Sequence, residues 1–65
     1  MWVVTMVYLA TNVEPQQELL ITNCNNAQEV IDYMKEGGWD DIRRTSARVI
    51  RTEHDGASYL IARWQ

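Results

Sequence analysis

The residues able to do chemistry in this 65-residue chain are few, and their spacing argues against most chemistries. His54 is the single histidine and sits beside Asp55-Gly56, a pair favoured in tight hairpin turns. A hairpin tip supplies neither the cleft nor the orienting partner that a general base needs. Cys24 is the single cysteine and lies just before a predicted helix, where free backbone N–H groups favour a thiolate. It has no second cysteine with which to close a redox cycle or a disulfide. No C-x-x-C or H-x-x-H spacing occurs, so a zinc site would have to be assembled from Cys24, His54 and scattered carboxylates. Asp40-Asp41 reads as a capped loop. Gly37-Gly38 follows a helical pattern instead of preceding one, so it stops a helix and does not cradle a phosphate. We therefore expect no enzyme, no cofactor and no metal. An active site shared by Cys24, His54 and Asp40 across a dimer interface is the enzymatic alternative.

The arginines are more suggestive. Residues 1–36 carry five acids against Lys35, a balance of −4; residues 37–65 carry four acids against five arginines, a balance of +1, giving the net −3. That net acidity weighs against general nucleic-acid binding, which relies on a basic surface releasing counterions. Arg43, Arg44, Arg48, Arg51 and Arg63 can still form a local patch, since a guanidinium offers a bidentate fork to carboxylate or phosphate. Tyr59 and Trp64 fall in the same segment, and arginine with aromatic residues is a common interface combination.

The elements that position these groups begin with a helix following Asn26. Ala27, Val30, Ile31 and Met34 fall at i, i+3, i+4 and i+7, one face of an α-helix. Asn26 is placed to cap the first turn, Glu29 to return a bond to the Asn26 amide, and Gly37-Gly38 to end the helix with Trp39 folding back on Met34. Residues 2–10 are rich in β-branched and aromatic side chains and predict a strand that is apolar on both faces: Trp2, Val4, Met6 and Tyr8 on one, Val3, Thr5, Val7 and Leu9 on the other. After a polar connection at 11–16, residues 18–22 predict its hairpin partner. Residues 40–46 read as a loop or a single helical turn. Asp55-Gly56 predicts a two-residue turn between strands 47–54 and 57–64. That register sets Val49 against Ala62, Ile50 against Ile61, Arg51 against Leu60 and Arg48 against Arg63. Like charges directly across a ladder are unfavourable, so either a longer loop shifts the register or the two arginines meet an anion.

The expectation is one α+β domain spanning 1–65, β-β-α-β-β, a four-stranded antiparallel sheet with one helix packed on one face. A 12-residue helix is about 18 Å long and covers one face of such a sheet. The other face, carrying Arg48, Ile50, Tyr59, Ile61 and Arg63, is the expected binding surface. So small a chain buries little of its surface and commonly needs a supplement. A protein partner, with a homodimer as the first candidate, meets both needs. The expected role is a non-enzymatic regulatory module acting by protein–protein interaction; an inhibitor of a host protein, of phage or mobile-element type, fits the size and acidity. The alternative is a homodimer binding a small ligand or nucleic acid with the arginine–aromatic face. The apolar run at 2–10 is far short of a membrane span, and no targeting motif is present. With a lone thiol, this points to a cytoplasmic setting.

Overall fold

The computed structural model describes residues 1–8, 16–53 and 56–65. The chain is a small α+β fold in the order β1 (Trp2–Tyr8), β2 (Gln16–Cys24), α1 (Ala27–Glu36), β3 (Ile42–Ser46), β4 (Val49–Thr52) and β5 (Ser58–Trp64). The strands form one antiparallel sheet in the order β2-β1-β5-β4-β3. β5 lies at the centre, with β1, apolar on both faces, beside it; β2 and β3 form the edges. The chain leaves β2 at one edge, runs through α1 over one face, and re-enters the sheet as β3 at the other.

Among the described residues the sheet has five strands, not the expected four. The addition is β3, in the segment read as a loop or helical turn. Its sequence, Ile-Arg-Arg-Thr-Ser, is almost wholly exposed. It forms because β4 offers it backbone partners, pairing Ile42 with Thr52, Arg43 with Arg51 and Arg44 with Ile50. Asp41 enters the strand with φ 52°, a backbone conformation that aspartate tolerates better than most residues. β2 also runs longer than the expected 18–22.

The helix matches its local signals. Asn26 has extended backbone angles, and its Oδ1 accepts from the Glu29 N–H at 2.9 Å. The Glu29 carboxylate does reach back, but it accepts from the Asn25 N–H at 2.9 Å instead of that of Asn26. At the other end Gly38 N–H donates to the Lys35 carbonyl and Trp39 N–H to the Met34 carbonyl, the paired bonds of a Schellman stop. Gly38 supplies the left-handed residue, with φ 83°. Trp39 packs against the core that contains Met34.

That core lies between α1 and the sheet: Trp2 and Val4 from β1, Cys24 from β2, Val30 and Met34 from α1, Ile50 from β4, Leu60 and Ala62 from β5. The assignment of faces along β1 is as its alternation predicts, except that Leu9 lies outside the described residues.

The β4–β5 register departs from the expected one by a single residue. Val49 pairs with Arg63, Ile50 with Ala62 and Arg51 with Ile61. His54 and Asp55, half of the expected turn, lie outside the described residues. The shift reverses β4: Ile50 and Thr52 face the helix and are fully buried, whereas Val49 and Arg51 face away. The physical reason is Arg51. In the shorter register it would stand beside Leu60 on the core side, where an unpaired guanidinium is costly to desolvate. The adopted register exchanges it for Thr52, whose Oγ1 accepts from the Leu60 N–H at 3.0 Å in the buried interior. It also dissolves the Arg48–Arg63 pairing.

Candidate functional site

The sheet face opposite α1 is organised in rows across the strands. The central row runs Arg43, Arg51, Ile61, Thr5 and Leu19, from β3 to β2. On one side lies the row Val49, Arg63, Val3; on the other, Tyr59, Val7, Gln17. The face is bipartite. Its β3–β4–β5 half carries three arginines, and its β5–β1–β2 half carries aliphatic side chains.

The apolar half is less wet than the coverage argument implies. Val7 is 4% exposed and Ile61 8%, while Val3, Val49 and Tyr59 are half-buried. Leu19, on the edge strand, stands 60% exposed.

On the cationic half, the Arg51 guanidinium lies over the Tyr59 ring, 4.5 Å from its centroid. Stacking suits the weakly hydrated planar group and uses its face, not its in-plane donors. Arg51 Nε is shielded from solvent and has no hydrogen-bond acceptor among the described residues. Arg43 stands directly across from Arg51, a like-charge pair offset, among the described residues, by a long ion pair from Arg43 Nε to Glu53 at 3.7 Å. Both side chains of that ion pair are well exposed, so it holds Arg43 weakly. Arg63 is exposed.

Of the five residues expected on this face, Tyr59, Ile61 and Arg63 are there. Ile50 is a correction: it is fully buried under α1, because the register reverses β4. Arg48 is another: it belongs to the β3–β4 turn, where its carbonyl accepts from Trp64 N–H at 2.9 Å and its N–H donates to Ser46 Oγ at 3.2 Å. Arg44 is on the helix side. Its Nη2 and Nε donate to the carbonyls of Ala47 and Ser46 at 2.9 and 3.3 Å, and its guanidinium lies 5.8 Å from the Trp2 ring centroid. It braces a turn. Trp64 is also on that side, edge-on to Trp2 with centroids 5.9 Å apart. Arg43, Arg51, Val49 and Leu19 were not picked out for this face. The odd positions of β1 signalled its apolar strip; nothing local signalled β3.

Apart from this face, a groove of about 470 Å³ runs between the end of β2 and α1, lined among others by Ile21, Cys24, Glu29, Asp32, Tyr33 and Glu36. Cys24 is buried and free, and burial together with the nearby Glu29 carboxylate raises its thiol pKa above the ordinary 9.0. The thiol is therefore protonated at neutral pH and a poor nucleophile, opposite to the effect expected of a helix N-terminus. Among the described residues, no group of three or more His, Cys, Asp or Glu side chains is placed to hold a metal ion. Among them, too, no helix is long and apolar enough to cross a membrane.

Comparison with known proteins finds no family model, no curated protein and no solved structure that matches this chain.

Proposed function

We propose that this chain is a small non-enzymatic binding module that regulates another protein by occupying its surface through the sheet face opposite α1. The observation that carries the reading is the bipartite face on which no described helix or strand packs: α1 spans the other side of the sheet, and this side holds exposed Leu19, half-buried Val3 and the mostly buried Ile61 and Val7 next to Arg43, Arg51 and Arg63. Small size and net acidity suit an inhibitor of a host protein, of phage or mobile-element type. The lone, buried, free Cys24 suits a reducing cytoplasm. A second copy of the chain is a less favourable occupant than a different protein, because face-to-face packing would bring two sets of three arginines together.

The test is capture from native cells by the wild-type chain, by Leu19→Asp and Arg63→Glu on the open face, and by Lys35→Ala on the exposed side of α1. All four should melt alike. Wild type and Lys35→Ala should recover the same protein, and the two face variants should lose it. Recovery of one set of proteins by all four chains overturns the reading.

The second reading is a site for a nucleic acid or a small anionic ligand, and it is favoured by the Arg51–Tyr59 stack. Binding of single-stranded oligonucleotide with a steep salt dependence would support it.

A further inference from the structure

We infer that the partner surface is acidic: a segment of a different protein that sets carboxylates over Arg51 and Arg63 and apolar side chains over the strip formed by Val3, Ile61 and Val7. This deepens the binding-module reading and rests on it. Charge complementarity carries it. Among the described residues the face holds Arg43, Arg51 and Arg63 against Glu53, a balance of +2, on a chain of net charge −3. The positive charge is concentrated on one side of an otherwise acidic domain.

Three details favour carboxylates on a protein over other anions. First, Arg51 is already partly desolvated. Its Nε is sealed from solvent without an acceptor among the described residues, and its ring-stacked face leaves the in-plane donors for an incoming group. Second, the spacing fits a polypeptide. Arg51 pairs with Ile61, and Arg63 lies two residues further along β5, so the two charges sit one strand and two residues apart. Strand neighbours are about 4.8 Å apart and alternate residues about 6.8 Å apart, which places the arginines about 8 Å from each other at their backbones. Carboxylates at i and i+2 of an extended segment, about 7 Å apart, span that interval. Third, the apolar strip beside the arginines offers nothing to a phosphate backbone, and the net charge of −3 repels a long polyanion. A second copy would set +2 against +2.

The test is a solution NMR titration of the full labelled chain at 0.15 M salt. The probes are a peptide with glutamate at i and i+2 and valine at i+4 and i+6, separated by serines so that both side-chain types lie on one face of the extended segment, the same peptide with lysine for glutamate, a thymidine 20-mer, and the chain itself over a concentration series. The glutamate peptide should give saturable shifts in the side-chain Nε–H signals of Arg51 and Arg63 and in the methyls of Val3, Val7 and Ile61. Arg51→Gln and Arg63→Gln should each weaken that binding at least tenfold. The lysine peptide and the oligonucleotide should give no saturable shifts. Absence of saturation by the glutamate peptide at millimolar concentration overturns the inference, as does oligonucleotide binding of equal strength. Shifts on this face from the chain alone would name a second copy as the occupant and overturn it too. If Leu19→Asp and Arg63→Glu abolish capture while the glutamate peptide fails, the binding-module reading stands and the acidic assignment falls.

Discussion

Which residue of β4 faces the helix decides what the open surface is made of, and truncating Ile50 and Val49 in turn measures it. Ile50 is fully buried in the main core, among Val4, Val30, Met34, Leu60 and Ala62. Ile→Ala at such a site costs about 2–5 kcal/mol, the transfer loss plus a cavity. Val49 is half-buried on the opposite face, paired with exposed Arg63. Val→Ala removes about two methylene equivalents, each worth about 0.8 kcal/mol when wholly buried, so at half burial the cost is below about 1 kcal/mol. A chain of this size has a total stability of about 3–10 kcal/mol at the usual per-residue figure. Ile50→Ala therefore removes a large part of it and Val49→Ala little. At about 4–8 °C per kcal/mol for so small a domain, Ile50→Ala should lower Tm by about 8–40 °C and Val49→Ala by less than about 8 °C. Circular dichroism melts and urea titrations at matched concentration read both, and an unchanged urea m-value would place the loss in the folded state. In the register one residue shorter, Val49 is the core residue and the order reverses. Equal losses, or a larger loss for Val49→Ala, would refute the register and with it the placement of Arg51 on the binding face.

Thr52→Val keeps the shape but removes the Oγ1 that accepts from the buried Leu60 N–H; it should cost about 1–3 kcal/mol in urea denaturation, and Thr52→Ser should recover most of the hydrogen-bond share. Asn26→Ala removes the acceptor for the Glu29 N–H and should cost about 1 kcal/mol, with Asn26→Asp close to wild type, both read by thermal melts. Cys24 alkylation should be slow at neutral pH and its rate should rise with a midpoint above 9.0, because burial and Glu29 favour the neutral thiol. The sign for stability follows from that raised pKa: the contribution is fully present below pH 9.0, where the unfolded thiol is still protonated, and is lost as pH rises through the higher folded value. Cys24→Ser should flatten that part of the stability profile, read by urea denaturation between pH 8 and 10.

The helix was legible because its signals are local. Asn26, the Ala27–Met34 stripe and Gly37-Gly38 act within a few residues of one another, and each finds its expected role. Only the reach of Glu29 differs, to the Asn25 amide. The alternation of β1 was legible for the same reason. β3 was not, since Ile42, Arg43, Arg44, Thr45 and Ser46 bury almost nothing and owe their conformation to the backbone of β4. The β4–β5 register lies between these cases. Asp55-Gly56 is a local cue to a short turn, whereas the register is set by the side chains that meet across the ladder. Burying Ile50 and Thr52 while keeping Arg51 out of the core outweighs the turn preference. A slip of one residue left the inner face of β5 as expected and reversed every side chain of β4.

That reversal changes what the open face can do. With Ile50 outward and Arg51 inward, the face would be chiefly apolar and would need cover in order to hold the fold together. With Arg51 and Val49 outward, it acquires a third arginine, and its central aliphatic residues, Val7 and Ile61, are already mostly buried within one chain. Little further apolar area then remains to be gained where those two residues lie. Leu19 and the half-buried Val3, Val49 and Tyr59 supply a modest apolar increment at the rim. On the reading proposed above, discrimination between partners comes mainly from the guanidinium groups, through attraction to carboxylates and repulsion of a second copy or any other basic surface. On that same reading, a charged, partly dry face suits reversible docking, with charge selecting the partner and the aliphatic strip seating it.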